Sequence, residues 1–159
     1  MAMRPNARLV GLLIVASLLT TPALGESPTR ELALELLATY DEAYATGDLD
    51  DLNRLVEEDA RFSTTLWYEG EMEQVIVNRK RYFKAAQAIW RSTRPNRPSR
   101  EIVDVNISPD GKEITVVSEL AIERDMDGRK VSQSNRDVFL FVSDGKRFRL
   151  RRHESETRF

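Results

Sequence analysis

The sequence predicts an α+β domain, with three helices in its N-terminal half packed on a curved antiparallel sheet. Three observations carry this. Between residues 27 and 90 apolar side chains recur at the three-and-four spacing of helical faces. In the C-terminal half they alternate, and Asp-Gly recurs at 110–111, 127–128 and 144–145, evenly spaced by seventeen residues. No linker-like stretch divides the two halves, so helices first and sheet second describe one domain over residues 26–159.

Residues 1–25 stand apart from that domain. Arg4 and Arg8 form a positive start, residues 9–19 an apolar run, and Ala23-Leu24-Gly25 the small residues of a cleavage site. The run is shorter than the about 20 residues that cross a bilayer. A cleaved signal peptide is therefore expected, cut between Gly25 and Glu26, which places the mature chain in the periplasm or outside the cell with no membrane anchor.

The first helix is expected to open with Ser27 as N-cap and Pro28 at the first helical position. Its apolar face is Ala33, Leu36, Leu37, Tyr40, Ala43 and Tyr44, and Gly47 ends it. Asp48 caps a short second helix with Leu49, Leu52, Leu55 and Val56 on its face. Alternation then predicts a strand over residues 61–68, and a short extended piece follows over 74–77. Asn78 caps a third helix whose face is Tyr82, Phe83, Ala86, Ile89 and Trp90, and Pro95 and Pro98 prevent its continuation. Four meander strands complete the chain over residues 100–108, 112–123, 130–142 and 147–155.

Composition narrows the chemistry. The 159 residues carry 24 Lys and Arg, 26 Asp and Glu, one His and no Cys. Without residues 1–25 the balance is 22 basic to 26 acidic, which offers no surplus for a phosphate backbone and speaks against a nucleic-acid partner. The lack of Cys excludes disulfides, thiolate metal sites and cysteine nucleophiles. A lone His leaves little for a multi-histidine metal centre, so neither a metal nor a cofactor is expected. Stability must come from burial, for which 41% hydrophobic residues suffice.

Treating each Asp-Gly as a two-residue turn sets the register. Around Gly111, Ile107 faces Ile114 and Val105 faces Val116. Around Gly128, Phe139 faces Val116, Asp137 faces Ser118 and Asn135 faces Leu120. Around Gly145, Phe141 faces Phe148, Phe139 faces Leu150, Asp137 faces Arg152 and Asn135 faces Glu154. The inner face then holds Val103, Val105, Ile107, Ile114, Val116, Leu120, Ile122, Phe139, Phe141, Phe148 and Leu150. It ends in a polar group of Ser118, Gln133, Asn135, Asp137, Arg152 and Glu154. The outer face holds Val117, Val138, Leu140, Arg149, Arg151 and His153, with Glu119 opposite Arg136 as an ion pair. One bulge would exchange the faces beyond it.

Residues 40–50, Tyr-Asp-Glu-Ala-Tyr-Ala-Thr-Gly-Asp-Leu-Asp, followed by Leu55-Val56-Glu57-Glu58-Asp59-Ala60-Arg61-Phe62, resemble the opening of nuclear transport factor 2-like (NTF2-like, SnoaL-like) proteins. The likeness runs on through the third helix and the meander. It implies a cone-shaped fold with a pocket between helices and sheet, and a homodimer formed through the outer sheet face, here Val138, Leu140, Arg149 and Arg151. The superfamily includes isomerases, dehydratases, cyclases, binding proteins and association modules. For ketosteroid isomerase, the resemblance puts the oxyanion-donating tyrosine at Tyr40 and the general base at Thr64, whose hydroxyl cannot do a carboxylate's work. Scytalone-dehydratase-like chemistry uses pocket histidines, and His153 is expected outside.

The candidate ligand-binding residues are Tyr40, Tyr44, Trp67, Asn135, Asp137 and Arg152. Each has a structural alternative. Tyr40 and Tyr44 serve equally as core residues of an amphipathic helix. Trp67 and Trp90 either wall a pocket or fill the core. Asp137 with Arg152 either grips a polar head group or stitches neighbouring strands. The expected function is non-catalytic binding of a small hydrophobic or amphipathic molecule. The alternatives are a dimeric association module of the cell envelope and an isomerase- or dehydratase-like enzyme using Asp137.

Overall fold

A computed structural model describes residues 27–92, 99–126 and 129–158, without the side chains of 92, 122–126 and 129–132. The expected signal peptide, Pro95, Pro98, the Asp127-Gly128 turn and the Ile122 side chain therefore lie outside the described residues. Helices α1 (Arg30–Thr46), α2 (Leu49–Leu55) and α3 (Arg79–Ser92) accompany strands β1 (Val56–Tyr68), β2 (Glu71–Asn78), β3 (Glu101–Ile107), β4 (Glu113–Met126), β5 (Arg129–Ser143) and β6 (Phe148–Arg158).

Local chemistry sets the boundaries. Thr29, not Ser27, caps α1: its Oγ1 accepts from the Leu32 N–H at 3.2 Å. Pro28 instead lies against the β3–β4 turn, where a Cβ on Gly111 would stand 3.1 Å from its ring. Gly47 closes α1 at φ 73°, and its N–H bonds the Tyr44 carbonyl. Asp48 caps α2 through the Asp51 N–H at 2.9 Å, and Asn78 caps α3 through the Arg81 N–H at 3.0 Å. Val56 belongs to β1 rather than to α2, and Ile89 stays exposed on α3 while Tyr82, Phe83 and Ala86 turn inward.

All six strands form one sheet in the order β2-β1-β6-β5-β4-β3. It is mixed, because β1 runs parallel to β6; the other pairings are antiparallel. The chain leaves the helices directly into β1, and this strand closes against the last strand of the meander. All three helices cover one face: α1 lies on β4, α2 on β1 and β6, α3 on β1 and β2. Between them sit Leu37, Leu52, Val56, Phe62, Ile114, Val116, Phe139, Phe141 and Leu150, each at most 4% exposed.

Register around the first two turns is as expected: Ile107 pairs Ile114, Val116 pairs Phe139, Ser118 pairs Asp137 and Leu120 pairs Asn135. Glu119 and Arg136 also face each other, 3.6 Å apart. Two corrections follow. An irregularity between Ile102 and Asp104 turns Val103 out to 51% exposure and packs Ile102 on the core instead.

The larger correction is in β6. Residues 144–147 form a four-residue loop, with Asp144 accepting from the N–H groups of Lys146 and Arg147, so Phe141 pairs Leu150 rather than Phe148. A bulge at Arg151 then adds one residue to the strand. Beyond it Leu140 pairs Arg152, Phe139 pairs His153, Asp137 pairs Ser155 and Asn135 pairs Thr157. The expected partners Arg152 for Asp137 and Glu154 for Asn135 are thereby displaced. Arg151 is held by Glu57 of β1, Nε to Oε2 at 2.6 Å. The bulge moves His153 from the outer face to the inner one, and Arg152 the other way.

Candidate functional site

Five elements bring their polar side chains to one place on the inner face. Helix α1 supplies Tyr40, Asp41 and Tyr44, and α3 supplies Tyr82. Arg100 immediately precedes β3, and β4 brings Ser118 and Leu120. Strand β5 adds Asn135 and Asp137, and the bulged β6 adds His153. All of these but Ser118 line a cavity of about 240 Å³.

Arg100 is the centre of the group. Its Nε and Nη2 donate to the two carboxylate oxygens of Asp41 at 2.9 and 3.0 Å, a bidentate fork. Its Nη1 donates to Asp137 and lies 3.4 Å from the Ser118 hydroxyl. The guanidinium also sits 5.0 Å from the centre of the Phe139 ring. His153 stacks on the same ring, 4.3 Å between centroids and 13° from parallel. Its Nε2 is 3.1 Å from Asp137 Oδ1. The Tyr40 and Tyr82 hydroxyls are 3.0 Å apart, and Tyr82 stacks on Phe62 at 3.8 Å.

The electrostatics separate the two carboxyls. Burial acts to raise Asp137, but the hydrogen bond and charge of His153, the charge of Arg100 and a bond from Ser155 outweigh it and hold the carboxyl at about 2. Burial wins at Asp41, whose carboxyl is pushed up against the pull of Arg100. Burial opposes the Arg100 charge, yet the two carboxylates raise its pKa further. Burial also raises all three phenols, Tyr40 well above its ordinary value, so they remain neutral hydroxyls. Asp137 is an ionised acceptor; its partner nitrogen on His153 therefore carries the proton.

Of the expected residues, Tyr40, Tyr44, Asn135 and Asp137 line this cavity. Arg152 does not: the bulge turns it outward, where it pairs Glu154 at 3.3 Å. Trp67 lies at the far end of β1, 36% exposed beneath Arg158, and takes no part. Asp41, Tyr82, Arg100 and His153 were not expected there. Asp41 left a signal, standing four residues after Leu37 and three before Tyr44, inside the apolar stripe of α1. So did the bulge: Arg151-Arg152 breaks the alternation after Leu150, since a regular strand would bury one of the two charges. For Arg100 the sequence holds no comparable signal. Among the described residues no group of three or more acidic or histidine side chains is placed to hold a metal ion, and no helix is long and apolar enough to cross a membrane.

A family model described as a SnoaL-like domain matches residues 33–156. Among solved structures, the chain is similar to a nuclear transport factor 2-like protein of unknown function from Silicibacter pomeroyi, at 18% identity over 79% of this chain and 92% of that one, TM-score 0.54. It is similar to an NTF2-like protein from Cytophaga hutchinsonii, at 13% identity over 81% and 98%, TM-score 0.57. A ketosteroid isomerase-like protein from Erwinia carotovora atroseptica matches at 14% identity over 82% and 98%, TM-score 0.53. These likenesses concern the fold. No curated protein matches.

Because Asp137 is depressed below its unfolded value of 3.8, its contribution to stability is complete above that pH and lost as pH falls through about 2. Denaturant titrations from pH 5 to 2 are expected to show wild-type stability falling faster than that of Asp137→Asn; parallel curves would contradict the charge assignment.

Proposed function

The chain belongs to the SnoaL-like family, and from that premise we propose that it binds a small organic molecule, with a compact uncharged head of the ligand inside the Tyr40–Tyr82–His153 cavity. The observation that carries this is the convergence of three neutral phenols, an amide and a His–Asp pair on one void of about 240 Å³. Desolvating Asp41, Arg100, Asp137 and His153 together costs more than an apolar core of the same volume. Groups so arranged in a cleft are a reason to assign a site. Arg100 is saturated by two carboxylates, so the cavity has hydrogen-bond donors but no uncommitted cation for an anionic head. In this proposal the domain is exported after loss of residues 1–25. It works as a homodimer through Val138 and Leu140 of the outer face, beside Arg149 and Arg151, which pair within the chain to Asp144 and Glu57.

A second reading, acid–base catalysis on the bound molecule, is favoured by one observation. Asp137 fixes the His153 ring through Nε2, an arrangement that orients an imidazole for proton transfer. The reason for placing His153 outside, and so for discarding that chemistry, is removed by the bulge.

Native mass spectrometry of the protein purified from its own host is expected to show a retained small molecule that Leu120→Trp, filling the cavity, expels. An empty wild-type protein, or equal retention by the variant, would contradict binding there. Incubating the ligand-loaded protein in D₂O tests the second reading: deuterium enters a carbon-bound position of the ligand with wild type and not with His153→Gln. Failure of wild type to exchange leaves binding without catalysis.

A further inference from the structure

Strand β2 is an edge of the sheet, pairing among the described residues only with β1 and without irregularity. An edge strand presents a row of backbone N–H and C=O groups that its own sheet leaves unpaired. Such edges are commonly blunted by a proline, a bulge or a central charge, and β2 has none of these. Its middle, Gln74-Val75-Ile76-Val77, is uncharged. Met72, Val75 and Ile76 are 59%, 47% and 60% exposed. Met72 and Ile76 stand on the outer face, in register with Trp67 and Ser63, and Val75 stands on the inner one with Thr64. Both sides of the edge therefore carry exposed apolar side chains.

Charge divides along the strand. Glu71 and Glu73 lie at its start, and Lys80 and Arg81 lie just beyond its end, in the first turn of α3. All four are exposed, and among the described residues none has an ion pair. Arg79 beside them is committed to the Val56 carbonyl at 3.1 Å. The first turn of α3 has no acidic residue, so Lys80 and Arg81 sit unanswered at the positive end of a helix dipole.

A second copy answers them. Antiparallel pairing of β2 with its own copy, about a two-fold axis through Val75, sets Val75 against Val75, Glu73 against Val77 and Glu71 against position 79. The acidic start of each strand then lies beside the basic helix start of the other, and symmetry makes this contact twice. Ile76 faces Gln74 and lies diagonal to the second Ile76. A parallel arrangement would set like charges side by side, and an unrelated extended peptide has no reason to match this division of charge.

We propose that two copies of this chain pair antiparallel along β2, joining two six-stranded sheets into one continuous sheet. This seam is separate from the outer-face contact at Val138 and Leu140, which lie on β5, three strands away. Neither contact requires the other.

Val138→Glu removes the outer-face contact, so sedimentation velocity of the purified Val138→Glu protein at low ionic strength reads the β2 seam alone. A dimer is expected. In that background Glu71→Lys with Glu73→Lys, and separately Lys80→Glu with Arg81→Glu, are each expected to raise the dissociation constant by about tenfold or more. Salt at about 0.5 M should weaken the unreversed dimer in the same direction. One reversed variant is basic at both ends of the seam and the other acidic at both, so an equimolar mixture is expected to form a one-to-one heterodimer. Unchanged circular dichroism spectra show that each variant is folded. A monomeric Val138→Glu protein overturns the seam while leaving the outer-face dimer and the ligand cavity in place. A dimer that survives both reversals, or reversed variants that stay apart on mixing, overturns it as well.

Discussion

Arg100 holds the inner face together. It joins α1 through Asp41, β5 through Asp137 and β4 through Ser118, and its guanidinium lies over Phe139, the wholly buried ring at the middle of the sheet. A charge so placed is tolerable only because every face of it is answered: two carboxylates, a hydroxyl and an aromatic surface. The arrangement also fixes what surrounds it. Asp137, held by Arg100 on one oxygen, presents the other to His153, and the imidazole, stacked on Phe139, stands edge-on to Tyr40 and Phe62. A single buried cation thus links the helix layer to the sheet and sets the polarity of the cavity wall.

That linkage also sets the charge of the cavity wall. Positive charge is present but committed, and the phenols, kept neutral by burial, supply donors without charge. On the opposite face of the sheet the charges are paired as well, Glu119 with Arg136 and Glu156 with Arg158.

Much of the fold is legible in the sequence because it is local. Helical periodicity, the Asp48 and Asn78 caps and the left-handed Gly47 act within a few residues, and the Asp110-Gly111 turn carries its register into β4. The α+β architecture follows from those periodicities, and the family resemblance around Tyr40 and Asp48 added the cone. What the sequence hid is non-local. The parallel β1–β6 pairing depends on how the chain closes, not on any turn. The bulge at Arg151 depends on Glu57, ninety-four positions away, and that one inserted residue decides whether His153 or Arg152 enters the site. Arg100 follows a Pro-rich stretch with no periodicity to mark its side, and only the folded sheet brings Asp41 and Asp137 to it.

The single histidine of the chain makes the central claim directly measurable, since its ring gives one unambiguous set of signals. A long-range ¹H–¹⁵N correlation spectrum recorded across pH 5 to 9 is expected to show Nε2 carrying its proton wherever the ring is neutral. That proton should exchange slowly with water, and Asp137→Asn should abolish its protection. A ring whose two nitrogens exchange freely and respond to neither Asp137→Asn nor Arg100 substitution would place His153 on the outer face and contradict the site.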